Sequence, residues 1–363
     1  MRPDLVALPP YRPGRAAVPG ATAHKLSSNE LPYGPLPSVE RALVDLLGSV
    51  NRYPDFAATA LVARLAAKHG VDPASVVLGA GSVEVVSQLV RALARPGDEV
   101  VFAWRSFEAY PLLVSGAGAT PVAVPLAPGW RHDLDAMAAS ITPRTRLVLV
   151  CTPNNPTGGV VAHDGLVAFL DRVPGDVVVL VDEAYVEFVT DPDAARGADL
   201  FAAHPNVVVA RTFSKAYGLA GLRVGYALAP GALARAMRPL AVPFGVTALA
   251  QAAAVASLDA EAELAARIAP VLAERARVVD ALRGAGYEVA DTQANFVWLP
   301  LGDRADAVAE QLAADGVLVR PFAGAGVRVS VGTREAGDAL LMSLDRSAGG
   351  VPRGRVVTAG NDE

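Results

Sequence analysis

Cysteine occurs once in the 363 residues, at Cys151. A single cysteine excludes an intramolecular disulfide framework and a cysteine-rich metal site, and its apolar surroundings make it a buried thiol; no metal is expected. Lysine is nearly as scarce, with Lys25, Lys68 and Lys215 the only three. Arginine must therefore carry most surface cation work, and a lysine in an apolar context stands out. The net charge is −5 and no Lys/Arg stripe is present, which excludes the electrostatic footprint of nucleic-acid binding. No uninterrupted apolar run approaches the roughly 18 residues a membrane helix needs. The opening MRPDLVALPPYRPG has no apolar core of the secretory kind. A cytoplasmic protein with no membrane partner is expected. Aromatics make up only 6%, so each one that is well placed is informative.

What is abundant is small aliphatic residues. Hydrophobic residues reach 52%, enough for a sizeable core in a chain long enough for two domains. Residues 1–37 are rich in Pro, Gly and Arg and read as an extended arm and loop. The spacing predicts helices over 38–49, opened by a Ser cap at Ser38, and over 56–70. A strand at Val76–Leu78, the turn GAGS at 79–82 and a helix from Val83 follow. Asp98–Ala103 and Thr120–Pro125 read as strands, with the aromatic loop WRSFEAYP at 104–111 after the first. From residue 147 the alternation is plain: apolar strands at Leu147–Cys151, Val177–Val181 and Val207–Ala210 alternate with helical segments. Fully apolar strands joined by helices mean a mostly parallel sheet covered by helices on both faces. One further strand, Tyr226–Ala229, and Ala-rich helical stretches over 231–239 and 247–286 come next. Strands at 296–301, 317–321 and 327–331 and helices over 304–315 and 334–346 form an α+β tail. The expected organisation is an α/β chain: arm 1–37, large domain 38–260, smaller domain 261–346, disordered end 347–363.

Ligands of such sheets bind at the carboxyl ends of the strands. Asn155 in the turn TPNNPTGG, Asp182 in VDEAY and Lys215 in RTFSKAYGLAGLRVG all lie at or just past such ends. Taken alone, Lys215 fits a snorkelling strand-exit lysine almost as well as a buried amine, and Asp182 fits a helix cap or turn. The GAGS turn fits an anion site at a helix N-terminus and equally an ordinary strand-to-helix turn. Together they supply what a pyridine aldehyde bearing a phosphate requires. That set is a lysine for the covalent link, a carboxylate for the ring nitrogen, donors for a ring oxygen, and hydroxyls, an arginine and a helix N-terminus for the phosphate.

The segments CTPNNPTGG, VDEAYVEF, TFSKAYGLAGLRVGY and RVSVGT, in that order and spacing, resemble the fold-type I pyridoxal-phosphate aminotransferases. They most resemble the class II group that contains histidinol-phosphate aminotransferase. The resemblance runs from KLSSNELPYGP to GVRVSVGT. It implies that Lys215 is the covalent anchor and proton carrier, that Asp182 pairs with the pyridinium nitrogen, and that Asn155 and Tyr185 bond the ring oxygen. It gives the phosphate to Gly81, Ser82, Ser214 and Arg223, with Thr212 a weaker candidate, and the ring face to Phe107. Tyr53 of NRYP matches a residue that reaches the cofactor of a neighbouring subunit, which implies a homodimer with shared sites. Arg328 matches the grip on the substrate carboxylate, and Asn29 of the arm is a further substrate residue. Arg320 fits a second anion contact or a plain domain-edge charge. The substrates implied are an amino acid and a keto acid. RPDLVALPPYRPG, FAWRSFEAYP and QANFVWLPLG look nearest to the aromatic, or phenylalanine, aminotransferase branch, with 2-oxoglutarate as acceptor; histidinol phosphate is the alternative donor.

Overall fold

The computed structural model describes residues 6, 8–11, 13–15 and 23–348. The rest of the expected arm and the expected end from 349 onward lie outside these described residues. The described residues form twelve strands: β1 (His24–Lys25), β2 (Val76–Gly79), β3 (Glu99–Trp104), β4 (Thr120–Pro125), β5 (Thr145–Cys151), β6 (Val178–Asp182), β7 (Val207–Thr212), β8 (Gly225–Leu228), β9 (Phe296–Gly302), β10 (Val317–Leu318), β11 (Arg320–Phe322) and β12 (Ala325–Ser330). The chain divides into two compact units. Glu30–Pro270 and Asp291–Asn295 belong to the first; Gly14–Asn29, Val271–Ala290 and the chain from Phe296 belong to the second.

The first unit is built on a seven-stranded sheet in the order β2-β8-β7-β6-β5-β3-β4. Strands β3 to β7 are parallel, and β8 runs antiparallel to both β7 and β2. Its central strands are apolar on both faces because both are covered. Phe102, Leu149, Leu180 and Val208 pack into one core with Val85 and Leu89 of the helix Ser82–Leu93 and with Tyr110 of the helix Ala109–Ala117. On the opposite face, Gly197 of the short helix Gly197–Phe201 lies directly against Val181 and Val209. Strand order reverses between β3 and β5, since β4 lies on one side of β3 and β5 on the other. That reversal opens a crevice beyond the carboxyl ends, where such sheets take ligands.

Two helices depart from expectation. The helix expected from residue 56 begins at Thr59, because the Asp55 carboxylate accepts from Ala57 N (3.0 Å) and Thr59 N (2.7 Å) and holds a turn there. The Ala-rich stretch 247–286 is two helices, Ala248–Asp259 and Glu261–Gly284, broken at Ala260. On either side of the break, Asp259 pairs with Arg64 and Glu261 with Lys68, both on the helix Thr59–His69. The break interrupts an alanine run whose propensity alone favours continuous helix. Ser38 is no cap: Pro37 occupies the first helical position, and the Ser38 hydroxyl donates to Glu263.

The second unit carries the antiparallel sheet β11-β12-β9 and the short parallel pair β1-β10. Leu26, Leu282, Val297, Leu299, Val327 and Leu340 share its core. Of the segment that reads as an unpacked arm, the described residues between Gly14 and Asn29 belong to this unit, with Leu26, Ser27 and Asn29 buried.

Candidate active site

The register of the large sheet puts Cys151 of β5 opposite Asp182 of β6, and Asp182 opposite Ala210 of β7. The carboxyl ends of three adjacent parallel strands therefore lie side by side. Asn155, Asp182 and Lys215 follow from those ends, so the sheet edge expected from the pattern is one edge.

The turn after β5 is tied down by the first of its two asparagines. Asn154 Oδ1 accepts from Ser106 Oγ (2.7 Å), and its Nδ2 donates to Arg105 O (3.0 Å) and Thr157 Oγ1 (2.9 Å). Asn154 thus fastens this turn to the loop after β3, which carries Phe107, and presents Asn155, itself buried, beside it. Asp182 ends β6 and is also buried. Its Oδ2 accepts from Tyr110 Oη at 2.7 Å and its Oδ1 from Ala184 N at 3.2 Å. Burial pushes its pKa up to about 6, against the opposing pull of those two donors. The next residue, Glu183, points to the other face. There Oε1 accepts from Gly197 N (2.6 Å), and Oε2 takes Arg211 Nε (2.8 Å) and Nη2 (2.7 Å). This buried bidentate pair locks the end of β6 to the end of β7.

Lys215 is half-buried in the turn after β7, its Nζ 5.9 Å from the centre of the buried Tyr185 ring. Ser214 is buried, and its Oγ accepts from Arg223 Nη1 at 3.2 Å. Arg223 Nη2 donates to Ala80 O at 3.1 Å. Arg223 itself is in the left-handed region (φ 58), a placement that costs about 1–2 kcal/mol. The glycine before the helix is required by its backbone, since Gly81 has φ 86, a conformation L side chains rarely adopt. Gly225 is needed for a different reason, since its Cβ would collide with Ser82 N. Gly81, Ser82, Ser214 and Arg223 are thus brought together around the N-terminus of a 12-residue helix, which favours an anion. The Thr212 hydroxyl accepts from Ser214 N (3.1 Å). Phe107 meets Tyr110 edge-on, with centroids 5.5 Å apart.

The remaining candidates belong to other segments of the chain. Tyr53 is 82% exposed, and its ring lies against that of Phe244 (centroids 4.6 Å apart). Arg328, Asn29 and Arg320 belong to the second unit. Arg328 is buried on β12; its Nη2 donates to Ser27 O (2.7 Å) and its guanidinium lies 5.6 Å from the Phe296 ring and 5.8 Å from the Phe322 ring. Ser330 Oγ accepts from Asn29 N (2.7 Å) and donates to Asn29 Oδ1 (3.1 Å). Arg320 lies 5.6 Å from the Phe322 ring.

An amine, a buried carboxylate, an amide and an anion cradle on one strand edge suit covalent binding of a phosphorylated aldehyde. The profile of the family described as aminotransferase class I and II matches residues 22–344. This chain belongs to that family. The aminotransferase is 56% identical over 342 residues to the aromatic amino acid aminotransferase of Streptomyces coelicolor, covering 94% of this chain and 95% of that one. It is 55% identical over 347 residues to the protein of the same name from Streptomyces avermitilis, covering 95% and 97%. Among solved structures, histidinol-phosphate aminotransferase from Sinorhizobium meliloti, in complex with pyridoxal-5'-phosphate, superposes with a TM-score of 0.87 at 30% identity, covering 95% of this chain and 96% of that one. Family membership makes the protein a transaminase and implies pyridoxal phosphate as cofactor. Among the described residues, no helix of the aminotransferase is long and apolar enough to cross a membrane.

Two residues escaped sequence reasoning. Arg211 looks like a surface charge beside a strand, and Tyr110 like one more core aromatic. The only signal for Tyr110 was a hydroxyl in an otherwise apolar run, one helical turn after Phe107.

Proposed function

We propose that this chain transfers the amino group of an aromatic amino acid to 2-oxoglutarate by a ping-pong reaction, in the cytoplasm and as a homodimer. The observation that carries the substrate class is the 56% identity, across 94% of the chain, to a protein named for aromatic amino acids. Pyridoxal phosphate, when bound, supplies an aldehyde that accepts the amino group and a ring that takes up the electron pair left at the substrate α-carbon. The donor set fits that group: the phosphate meets the helix N-terminus at Gly81 and Ser82, the Ser214 hydroxyl and the Arg223 guanidinium.

Lys215 holds the aldehyde and later carries the substrate α-proton on Nζ. Asp182, a buried anion, keeps the ring nitrogen protonated. Asn155 and Tyr185 donate to the ring oxygen, and Phe107 covers one ring face. Arg328 grips the substrate carboxylate as a planar bidentate donor, with Asn29 and Arg320 beside it in the same recognition task. Tyr53 reaches the cofactor phosphate of a second copy. Its exposure, together with that of Phe56 (73%) and Val242 (62%), supports an apolar surface that a partner copy covers.

The test is a comparison of kcat/KM for phenylalanine, tyrosine, tryptophan and histidinol phosphate, each with 2-oxoglutarate. An aromatic amino acid is expected to lead. A preference of several orders of magnitude for histidinol phosphate would replace the aromatic donor with the alternative one.

A further inference from the structure

Tyr110 is the only side chain that donates a hydrogen bond to Asp182 among the described residues. Its ring is fully buried and fixed by two aromatic neighbours, Phe102 (6.0 Å) and Phe107 (5.5 Å, planes at 87°). A phenol has one proton to give, and that proton goes to Asp182 Oδ2. Two titratable groups face the carboxylate, Tyr110 from the helix Ala109–Ala117 and Cys151 from β5, and a third, Glu183, acts on it through its charge from the other side of the sheet. None of them brings a positive charge. Burial first, and then the Asp182 charge, push both the Tyr110 phenol and the Cys151 thiol up, so both stay protonated. Tyr110 is thus a permanent donor, aimed at a carboxylate that burial drives toward the neutral form.

We propose that Tyr110 is a positioning residue: its hydroxyl keeps the Asp182 carboxylate ionised and fixed in one orientation for the cationic ring nitrogen of the cofactor. Its ring, edge-on to Phe107, ties that carboxylate to the side chain that covers the ring face. This rests on the reading in which Asp182 and Phe107 face the cofactor. The device separates two tasks. Asp182 supplies the charge, and Tyr110 supplies the reason for the charge to persist in a site that excludes water.

Tyr110→Phe removes one oxygen and keeps the ring and both aromatic contacts. Apo-protein titrated with pyridoxal phosphate, followed by fluorescence quenching, is expected to bind about tenfold more weakly at neutral pH, the scale of a hydrogen bond to a charged group. The pH below which binding weakens is expected to rise by about one unit, because the carboxylate now protonates sooner. In turnover, kcat falls about tenfold, with KM for the amino donor within about twofold. Replacing Tyr110 by difluorotyrosine, a stronger donor of nearly the same shape, is expected to move the pH midpoint the other way. A purely structural tyrosine would produce neither shift. Unchanged midpoints in both variants overturn the proposal, and if Tyr110→Phe does not fold, the difluorotyrosine protein decides it alone. A wild-type protein that takes up no pyridoxal phosphate sinks the cofactor reading and this one with it; wild-type uptake with unchanged variants sinks this one alone.

Discussion

Asp182 and Glu183 are neighbours in sequence, both buried and both acidic, yet the structure treats them oppositely. Successive strand residues face opposite sides of a sheet, and the two sides are furnished differently. Glu183 meets Arg211 in a bidentate pair and Gly197 N as well, so its charge is neutralised within the fold. Asp182 receives only a phenol and one backbone N–H, and its pKa rises to about 6. A carboxylate that serves the fold is given its own cation. Asp182, which the proposed function assigns to the cofactor's ring nitrogen, is left incompletely neutralised, so that a cationic group would complete its surroundings. Glu187, two turns of loop away, is an intermediate case. It feels the Arg211 charge, but burial dominates, its Oε2 has no hydrogen-bond partner, and its pKa rises to about 7.

This contrast can be broken by experiment. The largest effect is expected from Asp182→Asn, which should cost on the order of a thousandfold in kcat/KM while leaving the thermal midpoint unchanged or raised. Its mirror is Glu183→Gln. It should cost about 3 kcal/mol in urea unfolding, because Arg211 is left buried without its carboxylate. Should Asp182→Asn unfold the protein, or Glu183→Gln remove activity without loss of stability, the division of labour is wrong. The smallest effect concerns Glu187. A carboxyl whose folded pKa (about 7) lies above its ordinary value of 4.5 binds more protons folded than unfolded. Its contribution to stability is therefore full below about pH 4.5 and is lost as pH rises through 7. Glu187→Gln should match the wild type near pH 4.5 and exceed it at pH 8, measured by urea unfolding at both values.

The sheet was legible because its strands are uninterrupted apolar runs, and the edge was legible because Asn155, Asp182 and Lys215 each punctuate one such run. That Gly81, Ser214 and Arg223 come together could be read because they belong to short, strongly patterned segments. What could not be read shares a different cause. Tyr110 and Arg211 act through partners 72 and 28 residues away, Asp182 and Glu183, and nothing local marks them. The helix break at Ala260 has no glycine or proline to announce it; exposed ion pairs to Arg64 and Lys68 flank it. The two-residue strand His24–Lys25 is too short to have a period and exists only because Val317–Leu318 lies beside it.

That last pairing has a consequence for how the protein is made. Asn29 bonds Ser330, and the two are 301 residues apart in the chain. At the roughly 5–20 residues per second of ribosomal synthesis, about 15–60 s separate the emergence of one from that of the other. During that interval Leu26, buried in the finished second unit, has no core to enter. Most of the first unit's sheet is synthesised meanwhile, so the newborn chain carries an early apolar segment that is claimed only after nearly everything else has been translated.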